Sequence, residues 1–289
     1  MVDAKLVGQL RTKTGAGMMD CKKALTETKG DIEAAVDYLR EKGIAISAKK
    51  ADRIAAEGLA NIFTDGNRAI ILEINSETDF VSKNEEFTKM IEIIGQKILN
   101  SKVLTVEEAL ELETDEGTIG DLIIAKTAKI GEKLSLRRFE IIEKADSAVF
   151  GAYLHMGGKI ATLTVLNGAS EEVAKDVAMQ AAAMKPEYVT ETDVPEDVIA
   201  REKKVLTEEA MNEGKPQDIA EKMVQGRIKK FFKDICLDQQ PFIKDGDITV
   251  GEYVKNNNGE IISLTRYEVG EGMEKREDNF AEEVMNQIK

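Results

Sequence analysis

The stretch GAYLHMGGKIATLTV, residues 151–165, decides the fold, because it reads as two short strands joined by a glycine turn. The glycine pair at 157–158 is typical of a tight hairpin turn, and strand-forming residues flank it on both sides. The chain then enters a helical segment that runs from Ser170, as its N-cap, to Met184. This order predicts a unit of strand, turn, strand and helix.

The same order occurs about 92 residues earlier in the chain. Strand-like residues lead to an Asp-Gly-Asn turn at 65–67 and to a second strand over 69–74. Ser82 and Glu85 then fit a capping box for a helix that ends near Leu99. Two related α+β halves explain this repetition, and a chance similarity is the alternative.

The first fifty residues read as three short helices. The first ends at the glycine-rich stretch 14–17, and the second runs over about 18–28. The third begins after Asp31 and is ended by Gly43, and 47–53 reads as a linker. Three helices of this size make a small bundle that resembles a ubiquitin-associated domain.

The region 194–232 departs from the core pattern. Two helical runs flank a break at 212–216, which predicts an antiparallel helical hairpin that projects from the core. The apolar residues expected to face each other are Val198, Val205 and Leu206 on the first run and Ile219, Met223, Val224 and Ile228 on the second. Further helical segments are predicted at about 105–112, 118–130 and 250–254, with strands beginning at about 134 and 261.

We therefore expect an α+β protein in five parts. They are an N-terminal helical bundle at 1–54, a first α+β half at 55–145, a second half at 146–193 and 233–270, a hairpin insertion at 194–232, and a C-terminal helical module at 271–289.

The composition argues against several classes of function. The 289 residues carry 40 Lys+Arg against 54 Asp+Glu, and the net charge of −14 disfavours general binding to nucleic-acid backbones or anionic membranes. No stretch approaches the roughly 18 apolar residues of a membrane span, and the N-terminus lacks the pattern of a signal peptide. We expect a cytoplasmic protein whose thiols stay free.

The residues available also disfavour covalent catalysis. A Ser/His/Asp or Cys/His site would need the single histidine, His155, which lies beside the predicted turn without a nucleophile motif. Cys21 and Cys236 match no CxxC spacing, and 15–17 lacks the spacing of a phosphate loop. We expect no catalytic residues, no metal ligands and no cofactor.

Two stretches rise above this background. In LRTKTGAGMMDCKKAL, residues 10–25, a glycine turn presents Met18 and Met19 at a helix start, with Arg11 nearby. Flexible thioethers adapt well to a partner surface, although packing inside the bundle is the alternative.

In EINSETDFVSKN, residues 73–84, Asp79 and Phe80 fall together at a strand-to-helix junction. An exposed ring beside a carboxylate makes a wedge, because the ring fills an apolar pocket while the carboxylate competes for a cation or its waters. The alternative is a hydrophobic staple with a helix cap.

These two stretches together resemble the elongation factor Ts family, and the resemblance covers essentially the whole chain. It further includes Tyr153–Gly158, Gly214-Lys215-Pro216, Gln240-Pro241-Phe242 and Arg266–Gly272, in the family's order.

The resemblance implies a guanine nucleotide exchange factor that binds elongation factor Tu in its GDP-bound and nucleotide-free forms. Thr78, Asp79, Phe80 and Val81 match the family's wedge, which displaces the partner's magnesium ion. Arg11, Met18 and Met19 match its contacts with the partner's nucleotide-binding domain, and the part of the second half that carries His155 touches the partner further along.

The resemblance also implies dimerisation through the helical hairpin in some members and a further contact from the terminal helix. From the residues alone, a scaffold protein with a ubiquitin-associated-like head is the competing class. A hydrolase or transferase is disfavoured by the missing pairing of nucleophile and base.

Overall fold

The computed structural model describes residues 2–14, 16–214 and 216–274. Within these residues the protein is α+β, with ten α-helices and small antiparallel sheets. It forms two compact units: the first contains 2–63, 72–141 and 268–274, and the second contains 64–71 and 142–267. The predicted boundaries of the five parts stay predictions.

The first part of the chain supplies helices, the three strands of a larger sheet and a small two-stranded sheet. In chain order these elements are α1 Ala4–Thr14, α2 Met18–Glu27, α3 Ile32–Ala48, β1 Glu57–Asp65, β2 Arg68–Ser76, α4 Glu85–Leu99, α5 Val106–Leu110, β3 Glu113–Thr114, β4 Gly117–Thr118, α6 Ile119–Ile130 and β5 Ser135–Glu143. The larger sheet has the strand order β1-β2-β5. The predicted hairpin and the helix ending at Leu99 are confirmed.

The second part of the chain follows with strands, a helical hairpin and a closing strand. Its elements are β6 Ala148–His155, β7 Ile160–Asn167, α7 Glu171–Met184, α8 Glu196–Asn212, α9 Gln217–Ile235, β8 Pro241–Phe242, β9 Asp245–Thr249, α10 Val250–Asn256 and β10 Glu260–Glu268. The predicted β6–β7 hairpin is confirmed, with an antiparallel register from Ala148 opposite Asn167 to His155 opposite Ile160.

The third helix runs on beyond its predicted end. We expected Gly43 to stop α3, but the helix continues to Ala48, so the first two residues of the predicted linker are helical. A side chain at Gly43 would point at Ile124 and Ala128 of α6, 3.7 and 3.8 Å away. The glycine therefore serves close packing between α3 and α6, which the local sequence does not reveal.

The cap of α4 also differs from the prediction. Ser82 and Glu85 do not form a capping box, because Asn84 is the N-cap and its side chain accepts a hydrogen bond from the Glu86 N–H at 2.8 Å. The Ser82 hydroxyl instead donates to the Asp79 carbonyl at 2.5 Å. By contrast, the predicted cap of α7 is confirmed, since Ser170 accepts from the Val173 N–H.

In the second unit, α7 packs on one face of the β6–β7 hairpin. The Thr162 hydroxyl donates to the Ala178 carbonyl at 2.8 Å, and the Thr164 hydroxyl donates to the Ala174 carbonyl at 2.9 Å. Gly151 of β6 lies directly beneath Ala174, where a side chain has no room. The sheet continues through β7 to β10, in the order β10-β7-β6.

The two helices of the predicted hairpin, α8 and α9, are present and pack on each other, but two of the seven residues predicted for their seam lie outside it. Val205 and Ile219, which we expected to face the opposite helix, are exposed, whereas Ala210 and Ala220 are fully buried. The predicted Val224 and Ile228 are buried, as expected. Alanines carry little side-chain bulk, so they allow the close helix approach that larger residues prevent.

Two further observations complete the fold. The predicted C-terminal helical module at 271–289 lies, from residue 275 onward, outside the described residues. Among the helices of the described part of the chain, none is long and apolar enough to cross a membrane.

We predict opposite effects for two glycine-to-alanine substitutions. In Gly151→Ala the new Cβ would lie 2.0 Å from the Ala174 carbonyl oxygen, so the free energy of unfolding should fall by about 1–3 kcal/mol. In Gly226→Ala, within α9, no atom lies within 4 Å, so the unfolding free energy should rise by about 0.5–1 kcal/mol. Urea denaturation measures both, and a Gly151→Ala protein as stable as the parent would contradict the packing of α7 on β6.

Candidate protein-interaction site

A short 3-10 turn, Asp79–Lys83, follows β2 and presents an aromatic ring to solvent. Phe80 is 80% exposed, while its neighbour Val81 is buried. The alternative of a hydrophobic staple is therefore wrong for Phe80, because Val81 is the residue that packs inward. Asp79, directly before the ring, is also exposed.

Hydrogen bonds within the segment shape this turn. The Ser76 hydroxyl donates to the Thr78 carbonyl at 2.9 Å, and the Asn84 N–H donates to the Val81 carbonyl at 2.9 Å. With the Ser82 bond to Asp79, these contacts close the turn between the end of β2 and the start of α4. Phe80 is therefore displayed on a turn whose flanks are hydrogen-bonded.

The helix that follows the turn is held by a charged cluster. Lys126 and Lys129 of α6 contact the Glu86 carboxylate of α4 at 2.8 and 2.9 Å. Their hydrogen bonds lower the pKa of Glu86 to about 2. Glu86 is thus ionised at neutral pH, and it joins the first turn of α4 to α6.

The second predicted stretch lies where α1 turns into α2. Leu10, Cys21 and Leu25 are fully buried in the bundle core, whereas Met18 and Met19 are 59% and 73% exposed. The alternative that the methionines pack inside the bundle is therefore wrong. Arg11, in the last turn of α1, is exposed as well.

The single histidine lies in the second unit, at the end of β6. His155 is half-buried, and its Nδ1 is 3.3 Å from the Tyr153 hydroxyl. Leu154 and Met156 on either side are exposed. Arg11, the methionines and the 79–83 turn thus belong to the first unit, and His155 belongs to the second.

A buried carboxylate that we did not interpret from the sequence lies at the base of the site. Glu73 of β2 is completely buried, with Arg137 Nη1 at 2.9 Å, Arg138 Nε at 2.7 Å and the Gly270 N–H at 2.8 Å. Burial raises the pKa of Glu73, but hydrogen bonds from Gly270, Arg137, Asn75 and Arg138 outweigh this effect and hold the pKa below its usual range.

Sequence reasoning also missed Glu132, which hydrogen-bonds Thr78. The signal for Glu73 was present, because it interrupts the apolar run 70–74 of a strand whose other residues are suited to a core. The signal for Glu132 was absent, because a glutamate in a polar loop is ordinary.

Phe80, Met18 and Met19 are exposed apolar side chains that a partner protein could bury, so they are candidates for a protein-interaction surface. A family model described as elongation factor TS matches residues 77–271. The match covers more than half of the chain, and the chain belongs to the elongation factor Ts family. Family membership implies a nucleotide exchange role on elongation factor Tu in translation, rather than covalent catalysis.

We predict that Glu73→Gln lowers the free energy of unfolding at pH 7 by about 3 kcal/mol, because it leaves two arginines facing a neutral amide. The lowered pKa of Glu73 means that its contribution is present above the ordinary carboxyl pKa of about 4.3 and is lost as the pH falls through the lowered value. The difference in unfolding free energy between the parent and the Glu73→Gln protein should therefore become smaller below about pH 4.

Urea denaturation at pH 7, 5 and 3 measures this difference. Glu140→Gln is the matched control, because Glu140 is an exposed carboxylate on β5 of the same sheet. A Glu73→Gln protein that unfolds like the Glu140→Gln protein at pH 7 would show that the buried cluster contributes little.

Proposed function

We propose that this protein binds elongation factor Tu–GDP and promotes GDP release by inserting the Thr78–Val81 turn as a wedge. The observation that carries the proposal is the exposure of the Phe80 ring in a turn where the next residue, Val81, is buried. A large apolar side chain left in water without intramolecular packing favours burial against a partner.

The wedge acts on the partner's magnesium ion. Magnesium bridges phosphate oxygens and neutralises their charge, so its loss weakens the hold on the nucleotide. Phe80 opens space by entering an apolar pocket, and the adjacent Asp79 carboxylate disturbs the water and ligand shell of the ion. The ion and the nucleotide belong to the partner, so this chain needs no cofactor of its own.

Linkage sets a condition on this mechanism. The factor promotes exchange only if it binds nucleotide-free elongation factor Tu more tightly than the GDP-bound form. Contacts outside the wedge supply that preference by stabilising the empty partner. We propose that both nucleotide states are bound.

Arg11, Met18 and Met19 supply one of these contacts, from a three-helix bundle that we propose to be ubiquitin-associated-like. His155, on the second unit, supplies another. The exposure of both methionines and their deformable side chains support this role. The net charge of −14 supports a protein partner rather than nucleic acid or a membrane, and a translation partner supports a cytoplasmic location.

We predict that Phe80→Ala and Asp79→Ala each lower the maximal rate of stimulated GDP release by about tenfold or more, because each removes one half of the wedge. The rate is measured as release of labelled GDP from elongation factor Tu at saturating factor. Saturation separates the exchange step from binding.

Two controls sharpen this experiment. Leu104→Ala removes a side chain that is 81% exposed in the same unit but outside the proposed contacts, and it should leave the rate unchanged. Met19→Ala should raise the factor concentration needed for half-maximal release and lower the maximal rate by less than the wedge variants do, because it weakens one contact that favours the empty partner and leaves the wedge intact. Phe80→Ala and Asp79→Ala proteins that both exchange at the parent rate would remove the wedge from the mechanism.

The competing class, a scaffold protein that binds elongation factor Tu without changing it, has a distinct signature. It would give a stable complex in which GDP leaves at the unstimulated rate. The same release assay therefore separates the two functions.

We also propose that the helical hairpin is the surface for a homodimer. Val205, Met211 and Ile219 are exposed apolar residues on α8 and α9, on a hairpin that already buries its own seam. We predict that Val205→Glu combined with Ile219→Glu converts a dimer to a monomer, because buried charges without partners oppose association. Sedimentation equilibrium measures the change, and a parent protein that is already monomeric at tens of micromolar would reject the proposal.

A further inference from the structure

Glu132, in the loop after α6, hydrogen-bonds Thr78, the residue directly before Asp79 and Phe80. The Thr78 N–H donates to Glu132 Oε2 at 2.9 Å, and the Thr78 hydroxyl donates to Glu132 Oε1 at 2.6 Å. One carboxylate therefore fixes both the backbone and the side chain of Thr78. Asp79 and Phe80 follow immediately, so this contact sets the starting direction of the turn.

The loop that carries Glu132 is itself held in place. Gly131 ends α6 in the left-handed region, at φ +89°, and its carbonyl accepts a hydrogen bond from Lys50 Nζ at 2.5 Å. The Lys133 N–H donates to Glu77 Oε1 at 2.7 Å. The segments 77–78 and 131–133 are thus joined in both directions, because a glutamate of each segment accepts a hydrogen bond from a backbone N–H of the other.

The same loop reaches the end of the three-helix bundle. Lys133 Nζ donates to the carbonyls of Ala51 and Arg53 at 2.5 and 3.0 Å. Arg53 Nη1 in turn lies 3.3 Å from both carboxylate oxygens of Glu77. Lys133 and Glu77 therefore connect residues 51–53, which follow the three-helix bundle, to the segment that leads into the wedge.

We infer that Glu132 is a positioning residue for nucleotide exchange, which it serves by holding Thr78 so that Phe80 and Asp79 meet the partner in one orientation. The inference rests on the proposed function of the wedge. A short turn without this anchor samples several conformations, and only the fraction in the competent one inserts productively. Glu132 touches neither the partner's ion nor its nucleotide in this mechanism, so it acts through Thr78.

The test is release of labelled GDP from elongation factor Tu, with the full-length factor varied through saturation. Glu132→Ala removes both acceptors, and the maximal rate should fall about tenfold while the half-saturating concentration changes less than about twofold. Glu132→Gln should retain most of the rate, because its amide oxygen accepts from the Thr78 N–H and its amide group donates to the Thr78 hydroxyl.

Glu108→Ala is the matched control for a general loss of stability. The Glu108 carboxylate also accepts two backbone N–H groups, from Leu104 and Thr105 at 2.8 and 3.3 Å, in the same unit but at the start of α5. Thermal unfolding should show similar decreases in Tm for the Glu108→Ala and Glu132→Ala proteins. Only Glu132→Ala should slow the exchange.

A double variant separates this inference from the proposed function. In a Phe80→Ala background, adding Glu132→Ala should lower the maximal rate by a smaller factor than it does in the parent, because only Asp79 is left to position. A slow Phe80→Ala protein beside a fast Glu132→Ala protein would overturn the inference and keep the wedge. Exchange at the parent rate by both the Phe80→Ala and the Asp79→Ala protein would overturn the wedge itself. If the Glu132→Ala protein fails to fold, Glu132→Asp replaces it in the test. The aspartate side chain is too short to reach both donors, so the maximal rate should fall severalfold. A maximal rate equal to the parent's would overturn the inference.

Discussion

The first unit depends on one buried negative charge, the carboxylate of Glu73. An ionised carboxylate without partners is strongly unfavourable in a protein interior, so the surrounding chain must supply donors. Arg137 and Arg138 come from β5, Asn75 from β2 itself, and the Gly270 N–H from the segment after β10. One charge therefore brings together segments that are distant in sequence.

The strand β2 connects Glu73 to the turn that we propose as the wedge. β2 ends only a few residues after Glu73, and the chain passes directly into the 3-10 turn that displays Phe80. Glu132 holds Thr78 at the start of this turn, and the Glu86 carboxylate, paired with Lys126, holds the helix that follows it. An exposed ring serves as a wedge only if its backbone is fixed, because ordering a loose loop on binding opposes the binding energy.

Much of the fold could be predicted because it follows from short-range pattern. Alternating residues around 65–67 and 157–158 predicted both hairpins, and the cap at Ser170 was predicted correctly because its acceptor and donor lie three residues apart. Gly43 was misread because its role is to approach α6, far along the chain. For the wedge, the sequence showed an acid beside an aromatic residue, and both a staple and an exposed ring agreed with that pattern.

The sequence by itself determined the order of the longer strands and helices and several of their ends, but not the short strands β3, β4, β8 and β9. It also singled out the two stretches that resemble the family's motifs. Each of these predictions depends on neighbours within about one helical turn or one hairpin. Only the tertiary structure decided that Val81 is buried while Phe80 is exposed, that both methionines are exposed, and that Glu73 and Glu132 find their partners. These outcomes depend on which distant segments share a core, and burial and charge pairing between such segments have no local signature.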